Sequence, residues 1–496
     1  MRIEFSSGAS GPRQWRAGLA QRLEAKGHQV TLARRAAPRD DGIGTGLTLL
    51  FALEKLLYGV TEPAVPPPLP GLSEVAPELV LDFDGEALAS PVAVRTLIPL
   101  YDGAPGEAAA MEALLAGRAP QLGLALRCPE DGGARDVATA LPALADPQVF
   151  TRALDSVLWR MGDLILKTAL RLSASRLDAA ETTGSAVSRR RMPGPLRASA
   201  FVLNGLKAKI AARLTRLSAH QHHWRIGWRF AAGDEVASRL AWPDAPYSFL
   251  PDDARRYYAD PFVFWHGGVA HVFCEEYPYS TGKGVISVFT IGPDGMAGPR
   301  RIVLEQPYHL SYPMVFERDG AIFMIPESCA NRTVEIYRAI DFPLEWRLET
   351  VLIDGVSASD ATLLERDGCL FLFASLAEEG SSSWDMLGLF HAEQLMGPWS
   401  PHAANPVLID AASARPAGMM FSRQGALMRP AQVCIGGYGS QLALCRVDVL
   451  DIERYQQTLM TRLAPLPAWQ ADATHTLNAA GGLEVIDCAG WRSRRE

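Results

Sequence analysis

No stretch of this sequence is both long enough and apolar enough to cross a bilayer. The most apolar run, residues 47–60 (LTLLFALEKLLYGV), is short and carries Glu54 and Lys55, whereas a spanning helix takes about 20 apolar residues. It reads as a buried helix. The N-terminus, MRIEFSSGASG, lacks the basic start and apolar core of a secretion signal. Cysteine is sparse: seven residues, an odd number, with no CxxC pair. That argues against a disulfide framework or a zinc site and for reduced thiols in a cytoplasmic chain. An excess of positive charge is also missing. Lys and Arg total 48 against 55 Asp and Glu, a net charge of −7, so nucleic acid is not an expected partner. Residues 29–218 contain no histidine, and no metal-ligand spacing occurs anywhere.

What is present divides into three textures. At roughly 150 residues per domain the 496 residues suggest two to four domains. Residues 1–175 alternate short apolar strands (2–5, 29–33, 79–83, 96–100 and 122–126) with helical stretches such as 13–26 and 107–116. This βαβ rhythm predicts an α/β domain, a Rossmann-like parallel sheet with helices on both faces. Residues 150–172 read as an amphipathic surface or interface helix, broken by Arg152, Asp155, Arg160, Asp163 and Lys167. Residues 176–220 hold Arg189, Arg190 and Arg191, a Pro-Gly-Pro and a basic helical stretch at 200–217. They read as a linker and connecting helix with a solvated charged face; the alternative is contact with anionic lipid or a partner. From 221 to 496 helices nearly vanish, and short strands alternate with Gly- and Pro-rich turns, an all-β texture.

One internal repeat fixes the architecture of that half. Residues 260–275 (DPFVFWHGGVAHVFCE), 312–327 (YPMVFERDGAIFMIPE), 360–375 (DATLLERDGCLFLFAS) and, more loosely, 417–432 (AGMMFSRQGALMRPAQ) align without gaps. Each is an apolar strand, a turn containing Gly and a second apolar strand. Gly accepts the positive φ of a tight hairpin turn, so Asp-Gly between apolar runs is a strong hairpin signal. The repeats start 52, 48 and 57 residues apart, a period that means propeller blades. Four blades cover about 255–460. A fifth is expected from strands at 224–230 and 482–487, one from each end of the region, closing the ring.

In a propeller the innermost strands line one axis, so equivalent positions converge. Asp260, Tyr312, Asp360 and the segment around Arg415 begin the repeats; Glu275 or Glu276, Glu327, Ser375 and Gln432 end them. Carboxylates that accept from hydroxyls, an arginine and stacking aromatics suit a polyhydroxylated ligand. Asp260, Glu327 and Asp360 are the candidate catalytic acids. Glu275, Glu276, His309, Ser311, Tyr312, Arg415, Arg429, Gln432, Tyr438 and His475 are candidate substrate contacts. The two arginines would pair with pocket carboxylates or hold an anionic group of the ligand.

The motifs Tyr258-Ala-Asp-Pro-Phe, Tyr308-His-Leu-Ser-Tyr-Pro, Ile325-Pro-Glu-Ser, Gly397-Pro-Trp, Ala414-Arg-Pro-Ala-Gly, Arg429-x-x-Gln432, Tyr438-Gly and His475-Thr-Leu-Asn resemble the N-terminal domain of plant glucosamine inositolphosphorylceramide transferases and its bacterial relatives. That domain is similar to the five-bladed propellers of glycoside hydrolase family 43. The resemblance implies a general-base Asp on the first blade, a pKa-tuning Asp on the second and a general-acid Glu on the third. Asp260 matches the first. The second blade offers Ser311-Tyr312-Pro313, and the third offers Asp360. Inverting hydrolysis needs two carboxyls roughly 6.5–9.5 Å apart, which Asp260 with Asp360 or Glu327 would supply.

The N-terminal half, through Leu79-Val-Leu-Asp-Phe-Asp-Gly and Ile98-Pro-Leu-Tyr-Asp-Gly, more faintly resembles the formyltransferase N-terminal fold. The His of that family's catalytic loop has no counterpart here. The segment 6–11 (SSGASG) reads as a plain βα turn, with phosphate binding at a helix N-terminus as the alternative. Together these features predict a transferase-type enzyme of glycan or glycolipid assembly, acting on a sugar or glycolipid. A family-43-type glycosidase and a non-catalytic carbohydrate-binding propeller are the alternatives. No cofactor and no oligomeric state follow from the sequence.

Overall fold

The computed structural model describes residues 1–7, 14–34, 45–58, 75–88, 92–130, 133–174, 193–251, 253–377 and 382–493. These form two compact units, Met1–Ala211 and Ala212–Glu496. No helix among the described residues is long and apolar enough to cross a membrane. Most of the expected 6–11 turn and the Arg189–Arg191 run fall outside the described residues.

The first unit is a mixed seven-stranded sheet. Its strands are β1 (Arg2–Ser7), β2 (Gln29–Arg34), β3 (Leu79–Asp82), β4 (Thr96–Tyr101), β5 (Ala104–Pro105), β6 (Leu122–Arg127) and β7 (Arg135–Ala140), in the order β2-β1-β3-β4-β6-β7, with β5 on β4. β2, β1, β3 and β4 are parallel, as the βαβ rhythm predicts. β6 and β7 are antiparallel, a departure from the expected parallel sheet. After β4 the chain reverses at Asp102 and Gly103, both at positive φ (48° and 74°). β5 then runs back along β4, and helix α3 (Ala108–Leu115) returns the chain to the end it left, where the Asp102 N–H donates to the Gln121 carbonyl at 2.8 Å. β6 therefore starts beside the end of β4 and must run against it. The short 128–134 link then permits only an antiparallel β7, because a parallel crossover needs a dozen residues or more.

Helices α1 (Gln14–Ala25), α2 (Thr45–Tyr58) and α4 (Phe150–Ser173) complete this unit, and α5 (Pro195–Arg216) spans the boundary between the two. The 47–60 run lies mainly in α2, where Leu47, Leu50 and Glu54 are buried. Glu54 accepts the N–H groups of Phe150 (2.6 Å) and Thr151 (2.8 Å), capping the otherwise unsatisfied start of α4. Of the two expected readings of α4, surface or interface helix, the second fits: Arg152 and Asp155 are exposed while the opposite face is buried. Arg160 and Asp163 are buried and paired at 2.6 Å, and Arg22 of α1 reaches the other Asp163 oxygen at 2.7 Å. Two of the charges that break the hydrophobic pattern, Arg160 and Asp163, are thus satisfied internally.

The second unit is a five-bladed β-propeller. In chain order, β8 (Ala219–Phe230) and β9 (Ser248–Phe249) begin the ring without completing a blade. Blade 1 is β10 (Arg256–His266), β11 (Val269–Pro278), β12 (Val285–Ile291) and β13 (Arg301–Leu304). Blade 2 is β14 (Ser311–Arg318), β15 (Ala321–Ser328), β16 (Thr333–Asp341) and β17 (Glu345–Asp354). Blade 3 is β18 (Ala358–Arg366), β19 (Cys369–Leu376) and β20 (Met386–Ala392), edged by β21 (Ser400–Pro401) and β22 (Leu408–Ile409). Blade 4 is β23 (Phe421–Arg423), β24 (Ala426–Val433), β25 (Gln441–Leu450) and β26 (Tyr455–Leu463). Blade 5 is β27 (Leu477–Ala480) and β28 (Leu483–Ser493), completed by β8 and β9.

The first hairpin of every blade turns on two residues of positive φ: Gly267-Gly268, Asp319-Gly320, Asp367-Gly368, Gln424-Gly425 and Gly481-Gly482. Such a turn matches the twist of the flanking strands. The fifth pair reveals a further repeat, residues 474–489, signalled by Gly-Gly between apolar runs. Between blades, apolar side chains such as Phe323, Ile325, Leu370 and Leu372 pack one sheet onto the next.

Candidate functional site

Each of the first three blades carries a β-bulge near the start of its inner strand. Strand register slips between Ala259 and Phe262, between Ser311 and Met314, and between Ser359 and Thr362. Asp260, Tyr312 and Asp360 sit in these bulges with φ of 51°, 45° and 56°. A non-glycine residue in that region is uncommon, and bulges re-aim side chains. Here the bulge turns the first residue of each repeat towards the shared interior.

The freed backbone groups are taken by neighbouring blades. The Asp260 N–H donates to Asp487 Oδ2 on blade 5 (3.0 Å), and the Tyr312 N–H to Asp260 Oδ2 (3.3 Å). The Asp360 N–H donates to Glu327 Oε2 (3.2 Å), and the Gly418 N–H to the Tyr312 hydroxyl oxygen (2.6 Å). The acids thus close the ring as well as line it.

Two clusters follow. In one, Asp260 Oδ1 accepts from Thr476 Oγ1 at 3.0 Å and lies 3.6 Å from His475 Nε2, while His475 Nδ1 lies 2.7 Å from Asp487 Oδ2. His475 is stacked on Trp224, with ring centres 3.8 Å apart. Burial pushes its pKa down, but Asp487 and Asp260 outweigh that and hold it above the ordinary value. In the other, Asp360 Oδ2 faces Arg415 Nε at 2.7 Å and accepts from Gln432 Nε2 at 2.9 Å. Arg415 also lies 3.6 Å from Glu327 and donates to Ser383. Burial pushes Asp260 up to about 6, with His475 opposing and Asp360 adding to the rise. Burial pushes Asp360 up to about 7, with Arg415 opposing and Glu327 adding.

Glu275 differs from both. Its Oε1 accepts from the Tyr257 hydroxyl (3.3 Å) and lies 3.3 Å from His309 Nε2, with no arginine on it. Burial, then the charges of Asp260 and Glu327, raise its pKa well above the ordinary glutamate value. His309 is about one-third exposed, and burial lowers its pKa. Its Nδ1 accepts the Gly284 N–H at 3.0 Å, which places any ring proton on Nε2, facing Glu275. Aromatics neighbour the acids: Tyr438 lies beside Trp224, Trp384 and His475 (ring centres 6.3, 5.4 and 5.3 Å), and Tyr257 is stacked on Tyr277 at 4.7 Å. The Arg415 guanidinium lies 5.0 Å from the Tyr438 ring centre.

Asp260, Glu275, Glu327, Asp360, Arg415, Gln432, Tyr438 and His475 are therefore brought together, with Tyr312 beneath them. Ser311 pairs with Glu327 across the blade 2 hairpin. Glu276 and Arg429 go elsewhere. Strand alternation turns Glu276 away from Glu275 to Arg256 (2.5 Å) and Ser287 (2.6 Å). Arg429 donates to the Ser413 and Ala414 carbonyls and to Gln457, so carbonyl oxygens rather than pocket acids satisfy it. The sequence reading missed Asp487, Thr476, Trp224, Tyr257 and Trp384. An acid inside the apolar run of 483–489 was the available signal for Asp487.

Asp260, His475 and Asp487 each offer a ligand atom within 4.8 Å of the others, a spacing a cation can use. A cation there would compete with protons for these same ligand atoms. The seven cysteines are free thiols.

Residues 251–480 match the family model for the N-terminal domain of glucosamine inositolphosphorylceramide transferase 1. Glucosamine inositolphosphorylceramide transferase 1 of Oryza sativa subsp. japonica is 37% identical over 203 residues, 40% of this chain and 27% of that protein. The Arabidopsis thaliana protein of the same name is 32% identical over 203 residues, 40% of this chain and 26% of its own length. The match thus spans about a quarter of those relatives. Among solved structures, Zg3597, a family 117 glycoside hydrolase of Zobellia galactanivorans, matches with a TM-score of 0.35 and 12% identity over 54% of this chain and 90% of that one. A GH43_1 enzyme from Xanthomonas citri matches with a TM-score of 0.34 and 13% identity over 48% and 87%. Over residues 251–480 the propeller is thus similar to the N-terminal domain of glucosamine inositolphosphorylceramide transferase 1.

Proposed function

We propose that the propeller channel binds a sugar and that the chain works as a transferase-type enzyme on a glycan or glycolipid. The observation that carries this reading is the convergence of acids from successive blades beside a group of aromatic rings. Buried carboxylates and Arg415 supply directional partners for hydroxyl, amino or acidic groups, and Tyr438, Trp384 and Tyr257 supply faces for a sugar ring. The name shared by the relatives supports a sugar and an inositol-phosphate lipid as the substrate classes.

Within the site the proton-transfer role goes to Glu275. Asp260 and Asp360 each have both oxygens engaged, by Thr476 and the Tyr312 N–H in one case and by Arg415 and Gln432 in the other. They hold shape. Glu275 keeps its proton to higher pH than a free glutamate and faces the part-exposed His309, so it can donate to a leaving or attacking oxygen.

Saturation-transfer NMR with glucosamine, N-acetylglucosamine and inositol phosphate tests the binding. We expect contact with at least one of them, lost in Tyr438→Ala. No contact with any of them would overturn the sugar reading. Release of nitrophenol from aryl glycosides, removed by Glu275→Gln, would replace the transferase reading with the glycosidase one. Binding that survives Glu275→Gln, with no turnover of any sugar donor by the native chain, would mark a non-catalytic propeller.

A further inference from the structure

Helix α5 (Pro195–Arg216) turns two different apolar faces outward and inward. The inner face is built of Ala198, Phe201, Gly205, Ala208 and Ala212, each buried or part-buried. Phe201 meets the Phe150 ring edge-on at 6.0 Å, and Gly205 lies so near the Gln148 carbonyl that a Cβ would sit 3.7 Å from it. Arg197 pairs with Glu112, and Lys209 Nζ lies 3.3 Å from the Tyr58 ring centre. These contacts fasten the helix and fix which side faces out.

The outward side carries Leu196, Leu203, Leu206, Ile210 and Leu214, with Leu217 just beyond the last turn. All six are between 50% and 86% exposed. At 100° per residue they fall within one stripe, spaced by three, four or seven positions. Over 22 residues that stripe runs about 33 Å. Single exposed leucines are ordinary, but a continuous apolar row marks an interaction surface.

The charge beside the row decides what covers it. Lys207 flanks it on one side and Arg213 on the other, both exposed. No Asp or Glu occurs between Glu181 and Asp234, a span holding ten Lys and Arg residues, in a chain whose net charge is −7. A second copy pairing through this seam would set these cations against one another, with no acid on the helix to bridge them. An anionic bilayer surface answers both features. Leucine side chains enter the headgroup boundary, and flanking Lys and Arg side chains extend to lipid phosphates. We propose that α5 is an in-plane membrane-surface helix that holds this protein on anionic lipid. That surface is independent of what the propeller binds.

Flotation of the full chain with phosphatidylcholine vesicles, with and without phosphatidylglycerol, tests this. We expect flotation only with phosphatidylglycerol, and less of it as salt rises, since screening shortens the reach of surface charge. Leu206→Glu with Ile210→Glu should abolish it. Lys207→Glu with Arg213→Glu should weaken it at least about tenfold. All four side chains face solvent, so thermal melting of the variants should match the parent. Leu206→Gln with Ile210→Gln repeats the test without added negative charge. Flotation with neither vesicle, or equal flotation with both, would overturn the assignment. So would a dimer seen by light scattering that the Leu206 and Ile210 variants dissolve, which would hand the stripe to a second copy.

Discussion

Arg415 grips Asp360 with two nitrogens, Nε at 2.7 Å from one oxygen and Nη2 at 3.3 Å from the other. Both side chains are almost fully buried, so neither is replaceable alone. Arg415→Met leaves a buried anion beside Glu327 and should cost about 3–5 kcal/mol. The double variant Arg415→Met with Asp360→Asn removes that orphan and should recover part of the loss. Urea unfolding of the three proteins measures it; equal stabilities would show that the pair bears no weight.

Acid should stabilise the propeller. The folded Asp260 and Asp360 have pKa values of about 6 and about 7, against 3.8 for each when unfolded, and Glu275 is raised in the same direction. A carboxyl raised on folding binds more protons in the native state, so stability is highest below pH 4 for this group and falls as pH rises to about 7. For Asp260 alone that is on the order of 3 kcal/mol. His475, also raised, loses its contribution as pH rises above 6.5. Melting temperature should therefore be higher at mildly acid pH than at pH 8, where the other carboxylates remain ionised. A flat profile would show that the acids titrate as free side chains do.

Tyr312 ties three blades together. Its hydroxyl meets Thr362 Oγ1 at 2.9 Å and receives the Gly418 N–H at 2.6 Å. Tyr312→Phe strands that N–H in a dry interior and should cost about 1–3 kcal/mol, read as a shift in the urea midpoint with an unchanged slope.

Gly418 tolerates no side chain. Its φ is 127°, and a Cβ there would lie 2.1 Å from the Leu477 carbonyl oxygen on blade 5. Gly418→Ala should lose more than about 1 kcal/mol, whereas Gly268→Ala, at a hairpin tip with open space around it, strains only the turn. Comparing the two melting temperatures separates backbone strain from collision.

The blades were legible because Asp319-Gly320 and Asp367-Gly368 announce hairpins in the sequence itself. The convergence of Asp260, Glu327 and Asp360 followed from the repeat. Four things were not legible. Strand direction in the first unit is invisible to periodicity, so β6 read as parallel, and the part-exposed β7 lacks the apolar run that would have marked it as a strand. The different destinations of Arg415 and Arg429 depend on which face of a strand each occupies relative to bulges that no residue type announces. Tyr312 stands where a carboxylate was expected, and only its bonds to Thr362 and Gly418 show that it acts as a strut. The aromatic group was scattered over Trp224, Tyr257 and Trp384, which are distant in sequence and become neighbours only when the ring closes.

β28 (Leu483–Ser493) lies between β27 and β8, so the ring is clasped by strands made more than 200 residues apart. During synthesis blades 1 to 4 emerge in order, yet the channel has no wall on one side until residue 493 has left the ribosome. Until then Asp260 lacks both Thr476 and Asp487. The cluster of acids is thus closed by β28, and a nascent chain stopped short of that strand holds them in an open groove rather than around an axis.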